Sequence, residues 1–127
     1  DLNKMAAPNI VNVSSINGKT VNATLTSSDT AGTTILTCAS DKVLKVNSIV
    51  VSNFGNDVNA SVQFYDSSAT SSSYLAHRIS IPNQSSLMVL GKDNGIYLEE
   101  SDQIKAGIGT TATSSTITIS YEELDDA

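Results

Sequence analysis

Apolar and polar residues alternate at every second position along much of this chain, the period of a strand with one face in a core. In "NASVQFYD", Ala60, Val62 and Phe64 share one face, and Ser61, Gln63 and Tyr65 share the other. In "STITISYEEL", Ile117, Ile119 and Tyr121 alternate with Thr116, Thr118 and Ser120; in "QIKAGIG", Ile104, Ala106 and Ile108 alternate with Lys105 and glycines. The runs "NIVNV", "TVNATLT", "TTILTCA", "VLKVNSIVVSN", "YLAHRISI", "SLMVLG" and "GIYLEE" complete the set of candidate strands. Turn residues punctuate them at Asn17-Gly18, Asp29 to Gly32, Asn53 to Asp57, Asp66 to Ser73, Pro82 to Ser86 and Asp93 to Gly95, each a Gly, Pro, Asn, Asp or Ser cluster. No window holds a helical period long enough to defend. Roughly eight to ten short strands at this spacing predict an all-β, single-domain antiparallel β-sandwich, of which a jelly roll is one form. Five apolar residues, Val62, Phe64, Ile104, Ile117 and Ile119, are the predicted heart of the core.

Composition sharpens this picture. Ser, Thr and Asn make up about a third of the 127 residues, and these favour caps and turns over helix interiors. A chain of this length buries about two-thirds of its unfolded surface and needs neither disulfide nor metal to fold. The domain plan is a flexible N-terminal arm over residues 1–8, a sandwich over 9–124 and an acidic tail over 125–127. Residues 1–4 precede Met5, whose "MAAPN" reads as a natural start. The N-terminus lacks the basic and apolar regions of a secretory signal, which suits a mature or cytosolic product. Seven basic against thirteen acidic residues give a net charge of −6. That sign opposes nucleic-acid phosphates and anionic membranes as partners, and no run approaches the apolar length of a membrane helix.

Candidate chemistry is sparse. Glu99, Glu100 and Asp102 place three carboxylates within four residues, between the apolar Leu98 and Ile104. A solvated turn at the outer end of a hairpin explains them; calcium, which takes six to eight oxygen ligands, is the alternative, without the aspartate–glycine loop of an EF-hand. Glu122, Glu123, Asp125 and Asp126 read likewise as an acidic, frayed end. The single histidine, His77, cannot furnish a usual zinc site, and no motif marks one of the many serines as a nucleophile. The lone Cys38 excludes an intrachain disulfide and reads as a small core residue. Asn-x-Ser/Thr matches at Asn12, Asn22, Asn59 and Asn83 follow from the composition. Six aromatic residues and no tryptophan barely furnish a core, so a carbohydrate platform is the lesser expectation. No catalytic, cofactor-binding or metal-ligating residues are assigned, and the chain is read as no enzyme.

The phrases "MAAPNIVNVSSINGKTVNATLT", "VLKVNSIVVSNFGNDVNASVQFYDSS" and "SLMVLGKDNGIYLEESDQIKAG…ITISYEEL" resemble small virion structural proteins of tailed phages, especially marine phages and cyanophages. The resemblance runs from Met5 to about Leu124 and is one of strand phrases. It implies a β-sandwich subunit displayed on the virion, as a capsid decoration (knob or cement) protein or a tail component, partnered by a capsid or tail protein. It offers no catalytic residues to carry over. The alternative is a carbohydrate- or receptor-binding module of a tail or cell-surface protein. Self-association is a further expectation: "TTILTCA" and "SLMVLG" carry little charge and would be hazardous at an open sheet edge. A closed homo-oligomer, with a trimer favoured, would cover them.

Overall fold

A computed structural model describes residues 13–26, 32–109 and 115–126. Nine strands form among them, with one 3-10 turn at Lys92–Asn94. One sheet runs in the order β1 (Val13–Thr24), β9 (Ser115–Asp126), β3 (Lys42–Asn53), β6 (Ser85–Leu90), and β7 (Ile96–Leu98) also pairs with β3. The second sheet runs β2 (Thr33–Thr37), β8 (Gln103–Ile108), β4 (Val58–Asp66), β5 (Ser71–Ile81). Every pairing is antiparallel. The protein is an all-β sandwich, as the period-two alternation predicts.

The pairings nest inside one another. β4 meets β5 at the tip, then β3 meets β6 and β7, β2 meets β8, and β1 meets β9. Successive rungs fall alternately in the two sheets. A single long hairpin wrapped round a shared core has this connectivity.

That core comes from both inner faces. Leu44, Val46, Ile49, Val51, Leu98, Ile117 and Ile119 face Val58, Ala60, Val62, Ile104, Ala106 and Ile108 in one buried cluster. Four of the five residues expected at its heart are fully enclosed, and Phe64 is not. Phe64 is only half-buried, packed against the margin of the cluster near the end of β4. The opposite face of β4 also departs from expectation, since Ser61 and Gln63 are buried rather than solvated. The cause lies in β5, whose register against β4 breaks on both sides of Val62. Arg78 takes a left-handed φ of 51° in that break, and its N–H donates to the Ser61 hydroxyl at 2.9 Å. That bond satisfies the buried Ser61 hydroxyl.

Two further expectations are corrected. Asn17-Gly18 is no turn; it lies inside β1, whose pairing with β9 is continuous from Ser15 to Thr24. A turn there would leave half of β9 without that neighbour, and the long ladder outweighs the local preference of Asn-Gly. The acidic end is not frayed through Asp126: β9 continues to that residue, paired with β1 on one side and, as far as Asp125, with β3 on the other. Asp125 pairs with Lys42 and accepts from Ser15, while Glu123 bridges Lys19 at 3.1 Å. The Lys42 ammonium holds the Asp125 carboxyl below the usual carboxylate range, chiefly by direct hydrogen bonding. The expected N-terminal arm, the run "NIVNV" up to Asn12, and Asp29 to Ala31 lie outside the described residues.

Candidate functional site

The acidic turn is where the chain changes sheets. β7 ends at Leu98 in the first sheet, and β8 begins at Gln103 in the second. The two strands are therefore no hairpin, contrary to expectation, and the turn spans the sandwich. Glu99 and Glu100 point to solvent, but Asp102 is only 3% exposed. Its carboxylate accepts the Ser67 N–H at 2.9 Å through Oδ1 and the Glu99 N–H at 3.0 Å through Oδ2. Its backbone carbonyl accepts the Cys38 N–H at 3.0 Å, and the Ser101 N–H donates to the Cys38 carbonyl at 2.8 Å. Asp102 thus ties the sheet crossing to the β4–β5 turn and to the segment after β2. Both of its oxygens are engaged with backbone donors. Among the described residues no group of three or more His, Cys, Asp or Glu side chains could hold a metal ion.

Cys38 follows β2 rather than lying in it, and it is 1% exposed. Its thiol lies 3.2 Å from the Lys42 carbonyl, to which it donates. Burial pushes the thiol up to about 11 from 9.0, and the carboxylates of Asp102, Glu123 and Glu100 add to the rise. The thiolate is the nucleophile, so Cys38 in the folded protein is expected to resist iodoacetamide at pH 8 and to react fully in urea. The same shift has a definite sign for stability. The unfolded thiol ionises from about 9.0 upward while the folded thiol stays neutral until about 11, so stability falls across that interval. Equal alkylation rates in native and denatured protein would overturn this assignment.

A concave feature lies on the outer face of the first sheet. It is a groove of about 380 Å³ lined by Lys45, Asn47, Ser48, Lys92, Asp93, Ser120 and Glu122. Alternation along β3 and β9 turns Lys45, Ser48, Ser120 and Glu122 outward, and the register shift between Val46 and Ser48 makes Asn47 an extra, bulged residue. Such bulges re-aim side chains. The 3-10 turn brings Lys92 and Asp93 over this point. Gly95 is required beside it, because a Cβ there would sit 2.7 Å from the Val46 carbonyl oxygen. Tyr97, paired across strands with Lys45, is 45% exposed. Two lysines balance two carboxylates in the groove. Among the described residues, none of the seven lining side chains has a hydrogen bond or ion pair to another side chain or to backbone. The arrangement can therefore accept and donate hydrogen bonds to a polar, uncharged or zwitterionic ligand.

His77 is exposed on β5 with its ring centroid 4.1 Å from that of Tyr74, and it does not line the groove. Asn22, Asn59 and Asn83 are exposed, and Asn12 lies outside the described residues. A buried polar knot closes one end of the sandwich. Asn53 donates to the Asn56 and Ile81 carbonyls at 2.7 and 3.0 Å and accepts from Ser115 and the Gly55 N–H, each at 3.1 Å. Its role is structural, joining the β3–β4 and β5–β6 turns to the start of β9.

Comparison of the chain with protein-family models, with curated proteins and with solved structures finds no match. The architecture and the groove therefore stand as the basis for a functional reading.

Proposed function

We propose that this protein is a non-enzymatic virion structural subunit of a tailed phage, displayed on the particle as a capsid decoration (knob or cement) protein that self-associates and seats on a capsid or tail protein. The observation that carries the reading is the wrapped-hairpin connectivity of the two sheets. We read that connectivity as a jelly roll, an architecture found repeatedly in viral capsid and lectin domains. The resemblance of the strand phrases to phage virion proteins supports the same assignment. So does the chemistry of the surface: a net charge of −6 favours solubility at high copy number. A fold hosts many functions, so the decisive test is direct. Mass spectrometry of purified phage particles with copy counting should find the chain in many copies per virion. Its absence from intact particles would overturn the reading.

The groove favours a second reading, a saccharide-binding module. Its balanced charge suits a neutral polyhydroxyl ligand, and the exposed ring of Tyr97 offers a stacking surface beside Lys45. Glycan-array screening with wild type and Tyr97→Ala tests it. Binding lost in the variant would support the module; no hit on the array would leave the decoration role alone in possession of the surface.

A further inference from the structure

The sandwich has four principal edge strands, and three are blunted. β2 is five residues long, with a register shift between Thr34 and Leu36. β5 is broken twice against β4 and carries a left-handed residue at Arg78. β6 has six residues and a break opposite Ile49 and Val50, and its companion β7 has only three. Short edges and bulges are how sheets avoid unwanted pairing. The two weakly charged runs singled out by sequence, "TTILTCA" and "SLMVLG", do fall at edges, as β2 and β6, and both are protected in this way.

β1 is treated differently. It is twelve residues long, and its only irregularity lies at its start, between Val13 and Ser15. From Ser15 to Thr24 it contains no proline and one charged residue, Lys19, already bridged to Glu123. Residues 14–20 are exposed on both faces of the strand, and Ile16 is 58% exposed. A long, unbroken, nearly uncharged edge with an exposed isoleucine is the kind that takes on another strand.

We propose that β1 pairs antiparallel with β1 of a second copy about a two-fold axis near Gly18, joining the first sheets of two protomers into one continuous sheet. This deepens the self-association proposed above and is independent of whether the particle is a virion. Strand and copy are self-complementary about that point. Gly18 faces its own equivalent, and a Cβ there would meet nothing within 4 Å, so no side chains collide at the axis. Ile16 then lies across from Thr20 of the second copy. Lys19 lies across from Asn17 of the second copy, whose neighbour on β9 is Glu123, so the one cation of the edge faces a carboxylate of the other protomer. Such pairing is closed, because each copy uses the single unblunted edge found among the described residues. A trimer joined edge to edge would need two open edges per copy. The sequence-based preference for a trimer therefore gives way to a dimer.

Light scattering after size exclusion at micromolar concentration should give twice the 13.3 kDa chain mass. Ile16→Lys and Thr20→Lys place a lysine on the outer face of the edge at exposed positions, so both should keep the wild-type circular dichroism spectrum and weaken dimerisation at least tenfold. Phe54→Lys, at an exposed residue just past the end of β3 and nine residues after Lys45, which lies level with Glu122 and Gly18 at the axis, should leave the dimer intact. A wild-type monomer throughout the micromolar range, a trimer, or a dimer indifferent to both β1 variants would each overturn the proposal. Binding to purified particles is measured separately, so loss of the dimer and loss of the virion role are distinguishable.

Discussion

Ile119→Ala is expected to lower the unfolding free energy by about 2–5 kcal/mol, the range for removing a buried isoleucine side chain with incomplete collapse of the cavity. Ile119 sits in the middle of β9, flanked in register by Val21 on β1 and Ile49 on β3, and it is 0% exposed. Three strands converge on that position, so the surrounding backbone cannot move inward without breaking ladders on both sides. The cost should therefore fall toward the upper part of the range. Urea titration would read it as a lower midpoint at unchanged slope. Phe64→Ala makes the contrast: half-buried at the margin, it should lose about 0.8–1.5 kcal/mol, half the value of fully burying a phenylalanine. Equal losses at the two positions would contradict the placement of Phe64 at the edge of the core.

Asp102→Ala should be nearly as damaging although the residue is an acid in a turn. It leaves the Ser67 and Glu99 N–H groups without their acceptor, at about 2–4 kcal/mol for the two together, given that each is only part-buried. Asp102→Asn keeps one acceptor oxygen and should recover about half of that loss. Glu100→Gln, on the same turn but exposed, should stay within about 0.5 kcal/mol of wild type. Thermal unfolding of the three variants separates a structural tie from a merely solvated turn. If all three melt alike, Asp102 is not the tie described here.

These two residues show what alternation can and cannot say. The apolar positions of β4, β8 and β9 were legible because a strand repeats every two residues, and a run such as "ITIS" has one way to bury its isoleucines. Phe64 satisfied the same pattern, but a strand's period does not say where the opposing sheet stops. Asp102 looked like its neighbours Glu99 and Glu100, because nothing in residue type distinguishes a carboxylate facing solvent from one capping two backbone donors, one of them 35 residues away. Asn17-Gly18 failed for a related reason. Its turn preference is worth little against a ten-residue ladder whose partner strand lies about a hundred positions away.

The groove was hidden more completely. Lys45, Ser48, Ser120 and Glu122 each read as ordinary outward residues, and only the β3–β9 register sets them side by side. The signal that could have found them is the break in alternation at "KVNSIV", where Val46 and Ile49 are both buried with two residues between them, the mark of a bulge.

By itself, then, the sequence determined the fold class, most of the strands, the central core residues and the absence of a familiar catalytic motif, because these follow from side-chain periodicity and residue type, which are local quantities. Tertiary structure alone decided that the acidic turn crosses between sheets, that Asp102 is buried, that seven polar side chains share a groove, and that β1 is the one long unbroken edge strand among the described residues. Each of those depends on which strands become neighbours. Neighbour choice is settled by the summed packing of residues far apart in the chain, a global minimum that no short window contains.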